Sequence, residues 1–404
     1  MSLPGSLQID AATRRVRVSP TDPAFVQDPY PTYRAIRDAC PVFWWEDYGH
    51  WCCADVATVD ALFRDRRFGR EAPEQPEVPE HTRAFHDLDR LSMLEREPPA
   101  HTRLRRLVNR AFVSRAIERL RPRVEALAGD LLDALPQIGT VDLLPAFAEL
   151  IPVAIIADLL GVSRTDAPRL LDWSHRMVAM YRPARTCADE EAAVAATLAF
   201  SAYLRTALDE RRSHPRDDLL TVLATAGEEI STEEAVANAV LLLNAGHEAT
   251  VHALGNAVAV ILGSGLDPAA LLATPDGIAA TVEEALRFEP PLHLFTRFAL
   301  EPVSVGDVDL AAGDRIGLLI GAANRDPARW PDPDRFDPAR TPAPHVAFGG
   351  GFHFCLGAPL ARLELQVALP MLFKRLPKLR LAEPPRFADR YHFRGLEALR
   401  VVAD

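Results

Sequence analysis

A single cysteine, Cys355, stands in a loop of glycines and aromatic residues. Residues 348–357 are Phe-Gly-Gly-Gly-Phe-His-Phe-Cys-Leu-Gly, and a helix-forming run follows them. The three glycines carry no Cβ, so the backbone can turn tightly there and approach a large flat partner. Cys355 opens the predicted helix, where free backbone N–H groups and the positive end of the helix dipole favour a thiolate. Such a thiolate can be the axial ligand of haem iron; the alternative is a buried cysteine in a glycine turn.

The spacing aromatic-Gly-x-Gly-x-His-x-Cys-x-Gly is far more specific than a glycine-rich loop alone. It resembles the haem-binding signature of the cytochrome P450 family. The resemblance implies that Cys355 is the thiolate ligand of haem b and that Phe348, Gly349 and Gly357 contact this cofactor. It also implies a mainly α-helical, triangular fold with a minor β part and a long central helix over the haem.

The longest predicted helix spans residues 231–262. Ser231 or Thr232 is its expected N-cap, and two glutamates follow in the first turn. At 1.5 Å per residue the helix would be about 48 Å long, enough to cross the whole molecule.

The middle of this helix carries small residues beside an acid. Ala245 and Gly246 leave room for a thick group against the helix, and Glu248 is costly to bury unless it is solvated or paired. A packing notch with a partly exposed glutamate is the alternative explanation. The segment resembles the Ala-Gly-x-acid-Thr motif of the family, which implies a groove for dioxygen, with Glu248 supplying protons.

The residue after the acid departs from the family pattern. Threonine is usual there, but this chain has Ala249, and Thr250 comes one residue later. One residue is a rotation of about 100° around the helix, so Thr250 should not replace the missing hydroxyl. We expect ordered water or a hydroxyl of the substrate to supply the missing link.

A Glu-x-x-Arg pair precedes the cysteine loop. Glu284 and Arg287 are three residues apart, so they share a helix face. The pattern resembles the family's Glu-x-x-Arg, which pairs with a later arginine and supports the haem loop. Arg335, in Pro-Asp-Arg-Phe, is the predicted third member and Arg340 the second choice.

Haem carries two propionates, which need cations or hydrogen-bond donors. His101 and Arg105 are four residues apart on one predicted helix face, Arg297 lies on a predicted strand, and His353 precedes the cysteine by two residues. Each alone could be an ordinary surface residue. All four match family positions that contact propionates, so the resemblance implies that role.

Composition and charge narrow the class of protein. The 404 residues are 48% hydrophobic and 25% charged, and no apolar run is long enough to span a bilayer. The N-terminus lacks a signal pattern, and five cysteines without framework spacing suit a reducing compartment. We therefore expect a cytoplasmic protein without a membrane partner. The net charge of −11 argues against nucleic acid.

The chain contains no repeat and no low-complexity linker, so residues 1–404 are predicted to form one domain. A β-containing lobe should come mainly from residues of about 15–65 and 290–325, with a hairpin around Gly49. Further helices are predicted at about 55–64, 118–135, 150–160, 189–212, from 275 to before 290, and 355–376.

The resemblance implies a monooxygenase that hydroxylates an apolar small molecule with O2. Two electrons would come from a ferredoxin-type donor served by an NAD(P)H-dependent reductase. Five arginines cluster in this acidic chain and could dock an acidic donor, although a solvated helix face is a fair alternative. They are Arg103, Arg105, Arg106, Arg110 and Arg115. The substrate pocket should draw on residues 72–93, 173–181, 241–248 and 292–295.

Two other functions stay open. Ala249 is compatible with phenol coupling, desaturation or peroxide-driven oxidation at the same haem. The peroxide-using branch of the family typically has Arg-Pro where this chain has Glu248 and Ala249, which counts against that version. A non-catalytic haem-binding sensor is the third hypothesis, and the groove at Glu248 and the arginine cluster argue against it.

Overall fold

The computed structural model describes residues 3–75, 77–136, 138–163, 165–182, 185–389 and 392–403. Pro76, inside one of the predicted substrate segments, lies outside these residues. The fold is mainly α-helical with a minor β part, as the sequence predicts. Among the described residues, no helix combines the length and the apolar character that a membrane span requires.

The helices form most of the molecule, and the largest core cluster is built from their apolar faces. The α-helices are Pro23–Gln27, Tyr30–Ala39, Val56–Arg64, Arg83–Asp89, Ala100–Phe112, Ser114–Glu118, Arg121–Ala134, Leu150–Leu160, Ala167–Val178, Cys187–Ser213, Leu219–Ala224, Thr232–Gly263, Pro268–Leu271, Pro275–Phe288, Ile320–Ala323 and Ala358–Arg375. Short 3-10 turns at Glu80–Thr82, Met93–Glu95, Ala179–Tyr181, Gly227–Glu229 and Gly351–His353, and a π-turn at Leu144–Ala148, complete the helical part.

A seven-stranded sheet forms the β part next to two smaller core clusters. In spatial order its strands are Gln8–Asp10, Arg15–Arg17, Val42–Trp45, His50–Cys53, Arg315–Leu319, Leu294–Ala299 and Phe68–Gly69. The predicted hairpin is present, with Trp44 opposite Trp51. Smaller sheets join Arg380–Leu381, Arg400–Ala403 and Gly139–Asp142; Arg386–Phe387 and Leu396–Ala398; and Val303–Val305 and Val308–Leu310.

The central helix, Thr232–Gly263, begins as the sequence predicts. Ser231 is its N-cap: the Ser231 hydroxyl accepts from the Glu234 N–H at 3.1 Å, and the Glu234 carboxylate accepts from the Ser231 N–H at 2.9 Å. This reciprocal capping box satisfies two backbone donors that a helix end leaves free. Most of the helix is buried, so its start is fixed locally and its middle by packing.

Two predicted helix starts are wrong by a few residues. The helix after the cysteine begins at Ala358, with Gly357 as N-cap, so Cys355 lies in the preceding loop rather than in the first turn. Pro359 occupies that first turn, where its missing N–H costs nothing. The helix predicted from residue 118 begins at Arg121, because Pro122 starts a new helix after the short Ser114–Glu118.

The third member of the Glu-x-x-Arg group is Arg340, and the prediction of Arg335 is wrong. Arg287 donates to both Glu284 oxygens at 2.7 and 2.8 Å, and Arg340 Nε donates to Glu284 Oε1 at 2.9 Å. The Arg335 side chain is exposed and pairs with Asp337, while its carbonyl accepts from Arg340 at 2.8 Å. Arg335 therefore contributes only its backbone carbonyl to this group, whereas Arg340 contributes its charged guanidinium.

This group reaches the cysteine loop through Asn324. Arg287 donates to the Asn324 carbonyl at 2.9 Å, and the Asn324 side-chain oxygen accepts from the Val346 N–H at 2.8 Å. Val346 comes two residues before Phe348, so the buried ion pair holds the entrance of the loop.

The neighbouring Glu283 holds the other side of the loop. It accepts from Arg362, in the helix after the cysteine, at 2.6 and 2.8 Å, and from His345 at 3.1 Å. Burial opposes ionisation, but these partners lower the pKa of Glu283 to about 2. A depressed carboxylate pKa stabilises the fold above the ordinary value of 4.5, and this contribution is lost as the pH falls toward 2.

We expect Arg340→Ala to destabilise the protein by about 1–3 kcal/mol, because it removes one partner of a buried carboxylate. The midpoint of thermal unfolding, measured by circular dichroism, would fall. Arg335→Ala is the matched control and should leave the midpoint almost unchanged, since its side chain is exposed. Equal losses in the two variants would contradict this assignment.

Candidate haem-thiolate site

Cys355 is accessible to solvent although protein atoms surround it closely. Its N–H donates to the Phe348 carbonyl at 2.9 Å, which closes the loop on itself. Burial raises the pKa of the Cys355 thiol, while N–H groups of Gly357 and Ala358 and the charge of Arg105 oppose this rise. The predicted stabilisation of the thiolate is therefore present, but the effect of burial outweighs it. A metal ion bound to the sulfur would displace the proton.

The glycines of the loop serve a close contact with another part of the protein. Gly349 and Gly351 both have φ of +66°, a left-handed conformation that favours glycine. A Cβ at Gly351 would lie 2.2 Å from the Phe63 carbonyl oxygen, and one at Gly350 would lie 3.1 Å from the Phe63 Cβ. The loop thus turns tightly, as predicted, and is pressed against the end of the helix Val56–Arg64.

Two of the predicted propionate contacts, His101 and His353, lie side by side. Their ring centroids are 4.5 Å apart, and His353 Nε2 is 3.0 Å from Glu97 Oε1. Burial and the charges of His353 and Arg105 lower the pKa of His101 to about 4, so His101 is neutral at pH 7. Its buried Nδ1 has no hydrogen-bond partner among the described residues.

Arg297 and Arg105 are the cationic members of the predicted group. Arg297 is 2% exposed, and burial next to Arg70 lowers its pKa to about 9. Its guanidinium lies over the rings of Phe63 and Phe295 and donates to the Thr296 carbonyl. A buried cation of this kind calls for an anion.

Arg105 lies beside the cysteine loop. It donates to the Phe352 carbonyl at 3.3 Å, and its charge reaches the Cys355 sulfur. Burial lowers the pKa of this guanidinium. The donor set therefore fits haem b: an accessible thiol, two cations, and a buried imidazole nitrogen that no described residue contacts by a hydrogen bond.

The central helix offers an accessible edge in an otherwise buried surface. Leu241, Ala245 and Ala249 are four residues apart, and all three are at least partly accessible. Gly246 does not widen this edge, because its missing Cβ accommodates Ile156, whose Cγ1 would be 2.7 Å away. The predicted room against the helix thus comes from Ala245, and Gly246 serves helix packing.

Thr250 does not form part of this accessible edge. It is buried, and its hydroxyl donates to the Gly246 carbonyl of the same helix at 3.4 Å. The expectation that Thr250 does not replace the missing hydroxyl stays a prediction.

Glu248 is surrounded by three histidines. The carboxylate is 6% exposed; His175 and His247 approach its Oε2 at 3.6 Å, and His252 approaches its Oε1 at 3.4 Å. Burial opposes ionisation, but these three neighbours lower the pKa of Glu248 to about 2. The proton-supplying role of Glu248 stays a prediction.

Two of the predicted substrate segments contact each other. The Tyr181 hydroxyl donates to Asp89 Oδ1 at 2.9 Å, and the Tyr181 ring packs on Phe85. Burial and the nearby Glu95 raise the pKa of Asp89 to about 7. His293, in the predicted substrate segment 292–295, is fully buried, and its Nδ1 lies 2.8 Å from the Tyr33 hydroxyl.

Sequence reasoning missed Glu97 as a partner in the site. It accepts from the Arg70 N–H and from His353, and these bonds lower its pKa although burial opposes them. Glu97 lies directly before the segment Pro-Pro-Ala-His. Its position four residues before the predicted propionate contact His101 could have indicated its place in the site.

Comparison with known proteins agrees with this site. The family model described as Cytochrome P450 matches residues 278–383. Cytochrome P450 107B1 of Saccharopolyspora erythraea is 43% identical over 316 residues, 76% of each chain. The vitamin D(3) 25-hydroxylase of Pseudonocardia autotrophica is 39% identical over 368 residues, 89% of each chain.

A solved structure shows the same architecture. P450BioI, in complex with an acyl carrier protein ligated to hexadec-9Z-enoic acid, superposes with a TM-score of 0.90 at 32% identity. The match covers 94% of this chain and 100% of that one.

The chain therefore belongs to the cytochrome P450 family. Its members are haem b enzymes with a thiolate ligand, and the protein is accordingly an oxidoreductase of the monooxygenase type.

Gly351→Ala should prevent normal formation of the haem site, because the added Cβ would meet the Phe63 carbonyl. We expect a much lower ratio of haem absorption to protein after purification. Gly306→Ala is the matched control, since Gly306 also has a positive φ (+57°) but no atom of a described residue within 4 Å of where its Cβ would lie. A haem content equal to that of the control would contradict the assigned contact.

Proposed function

We propose that this protein hydroxylates an apolar small molecule with O2 and electrons from a ferredoxin-type donor. The observation that carries the proposal is the accessible Cys355 thiol, held by the closed loop beside Arg105 and the buried Arg297. Haem b, when bound, supplies the oxygen chemistry.

The chain's own residues would hold and orient the cofactor. Cys355 would ligate the iron, since its sulfur is accessible and accepts hydrogen bonds from backbone N–H groups. Arg105 and Arg297 would pair with propionates, because both are cations whose pKa burial has lowered. His101 would donate a hydrogen bond from its buried Nδ1, which has no partner within the described ranges of the chain.

The accessible edge of the central helix would face the reacting centre. Ala245 and Ala249 present only methyl groups there, and the Thr250 hydroxyl is engaged with the Gly246 carbonyl. A water molecule or a hydroxyl of the substrate would therefore pass the proton that the usual threonine handles.

An apolar substrate is supported by the relatives and by the aromatic residues of the predicted segments. One relative is named for vitamin D(3), and the structural neighbour holds a fatty-acyl chain, both largely hydrocarbon. In this chain Phe85 and Phe295 lie in two of the predicted segments. Asp89 and Tyr181 add a polar pair that would select a substrate with one polar group.

The electron donor would dock beside the cysteine loop. Phe352 and Phe354 are exposed there, and the Arg66 guanidinium lies 5.1 Å from the Phe352 ring centroid. Arg103 and Arg106 pair with Glu234 and Glu229, which reduces the predicted patch.

Two other members of that patch, Arg110 and Arg115, make no ion pair within the part of the chain that the structure describes, and they could meet an acidic partner. Arg110 and Arg115 are exposed near the same helix, Ala100–Phe112, that carries Arg105. Their positive charge in an acidic protein would steer a ferredoxin-type donor to the cysteine side.

Absorption titration of the haem-loaded protein tests the proposal. Terpenes, steroids, macrolides, aromatic acids and fatty acids would be added in turn, and an apolar class should shift the haem band from low spin to high spin. Product formation with NAD(P)H, a reductase and a surrogate ferredoxin should then follow. Loss of the thiolate-type band in Cys355→Ser is expected; a persistent thiolate band would overturn the ligand assignment.

Ala249→Thr tests the proposed proton path. Because water or substrate already fills that role, the fraction of electrons recovered in product should change by less than about two-fold, against the roughly 100-fold effect of a lost proton donor. Thr250→Val serves as the control and should also have little effect, since its hydroxyl bonds to its own helix. A large improvement in Ala249→Thr would disprove the substrate- or water-assisted path.

A further inference from the structure

The histidines around Glu248 form a compact set of metal-ligand atoms. His247 and Glu248 are adjacent on the central helix, and His175 comes from the helix Ala167–Val178. One ligand atom from each of the three lies within 4.8 Å of the other two. Both His175 Nε2 and His247 Nε2 approach the same carboxylate oxygen, Glu248 Oε2, at 3.6 Å.

These separations suit a tetrahedral transition-metal ion. With zinc–nitrogen and zinc–oxygen bonds of about 2.0–2.1 Å, neighbouring ligand atoms lie roughly 3.3 Å apart. The observed 3.6 Å is longer than a good hydrogen bond but only slightly longer than this value. Small side-chain movements would therefore bring the three atoms onto one ion.

His247 provides independent support because its tautomer is fixed. Its Nδ1 lies 2.8 Å from the Leu243 carbonyl, which can only accept, so Nδ1 carries the hydrogen. In the neutral ring Nε2 then presents a lone pair toward the Glu248 carboxylate, and two acceptors face each other. His247 is 1% exposed, and Nε2 has no hydrogen-bond partner in the part of the chain that the structure describes.

A cation between Nε2 and the carboxylate resolves this conflict. Metal-ligating histidines commonly donate their other ring N–H to a backbone carbonyl, as His247 does. A proton on Nε2 would also resolve it, so the experiment has to separate the two.

Access to the cluster is open on one side. The His175 side chain is half exposed, whereas Glu248 and His247 lie beneath it. His252 lies 3.4 Å from the other carboxylate oxygen, Oε1, and would orient the carboxylate. An ion could thus enter from the surface without unfolding of the central helix.

We propose that His175, His247 and Glu248 form a binding site for a divalent transition-metal ion such as Zn²⁺. The ion would link the helix Ala167–Val178 to the central helix, with water as the fourth ligand. This site is separate from the cysteine ligand of the haem and does not depend on the proposed reaction.

Zinc binding to the haem-loaded enzyme tests the proposal. Competition with a chromophoric chelator should show one tight Zn²⁺ per chain, and zinc should raise the midpoint of thermal unfolding. His175→Ala should weaken binding at least about ten-fold. His214→Ala is the matched control, because His214 is also exposed and lies at the end of another helix.

A second measurement keeps the test independent of folding effects. X-ray absorption at the zinc edge should show two imidazole ligands in the wild type and one in His247→Ala, with the haem spectrum used to check folding. Equal affinity in His175→Ala and His214→Ala, or no stoichiometric binding by the wild type, would overturn the proposal. Absence of stoichiometric binding would mean that a proton, rather than a metal ion, lies between His247 and Glu248.

Discussion

Two adjacent carboxylates on one helix hold the cysteine loop in place. Glu284 binds Arg287 and Arg340, and through Asn324 this group reaches the start of the loop. Glu283 binds Arg362 beyond the cysteine and His345 before it. Removing Arg287 or Arg340 would leave the buried Glu284 without its full charge compensation, whereas the pair of Glu283 and Arg362 is only partly buried. Both sides of the loop nevertheless depend on one helix.

The cysteine loop, which these carboxylates hold, keeps the Cys355 thiol accessible but places charged and reactive groups in unfavourable surroundings. Gly351 fits against the Phe63 carbonyl only because it lacks a side chain. Burial raises the pKa of the Cys355 thiol and so disfavours the thiolate, and Arg297 is a buried cation with a lowered pKa. A haem would offset both effects, because its iron favours the Cys355 thiolate and its propionates favour the buried Arg297 cation. Cofactor binding is thereby coupled to the stability of the site.

The central helix separates two chemistries on different faces. Ala245 and Ala249 form an accessible edge of methyl groups, whereas Glu248 turns toward His175, His247 and His252. Gly246 and Thr250 serve the packing and hydrogen bonding of the helix. One residue of rotation thus decides whether a side chain meets the edge or the histidine cluster.

The sequence by itself determined the local features: the helix start at Ser231 or Thr232, the helix over 150–160, the hairpin near Gly49 and the cysteine loop with its family resemblance. These follow from short-range patterns. The choice of Arg340 over Arg335, the contact of Gly351 with Phe63 and the histidines around Glu248 join residues distant in the chain. Only the tertiary structure could decide them, because spacing in the sequence carries no information about which long-range partners meet.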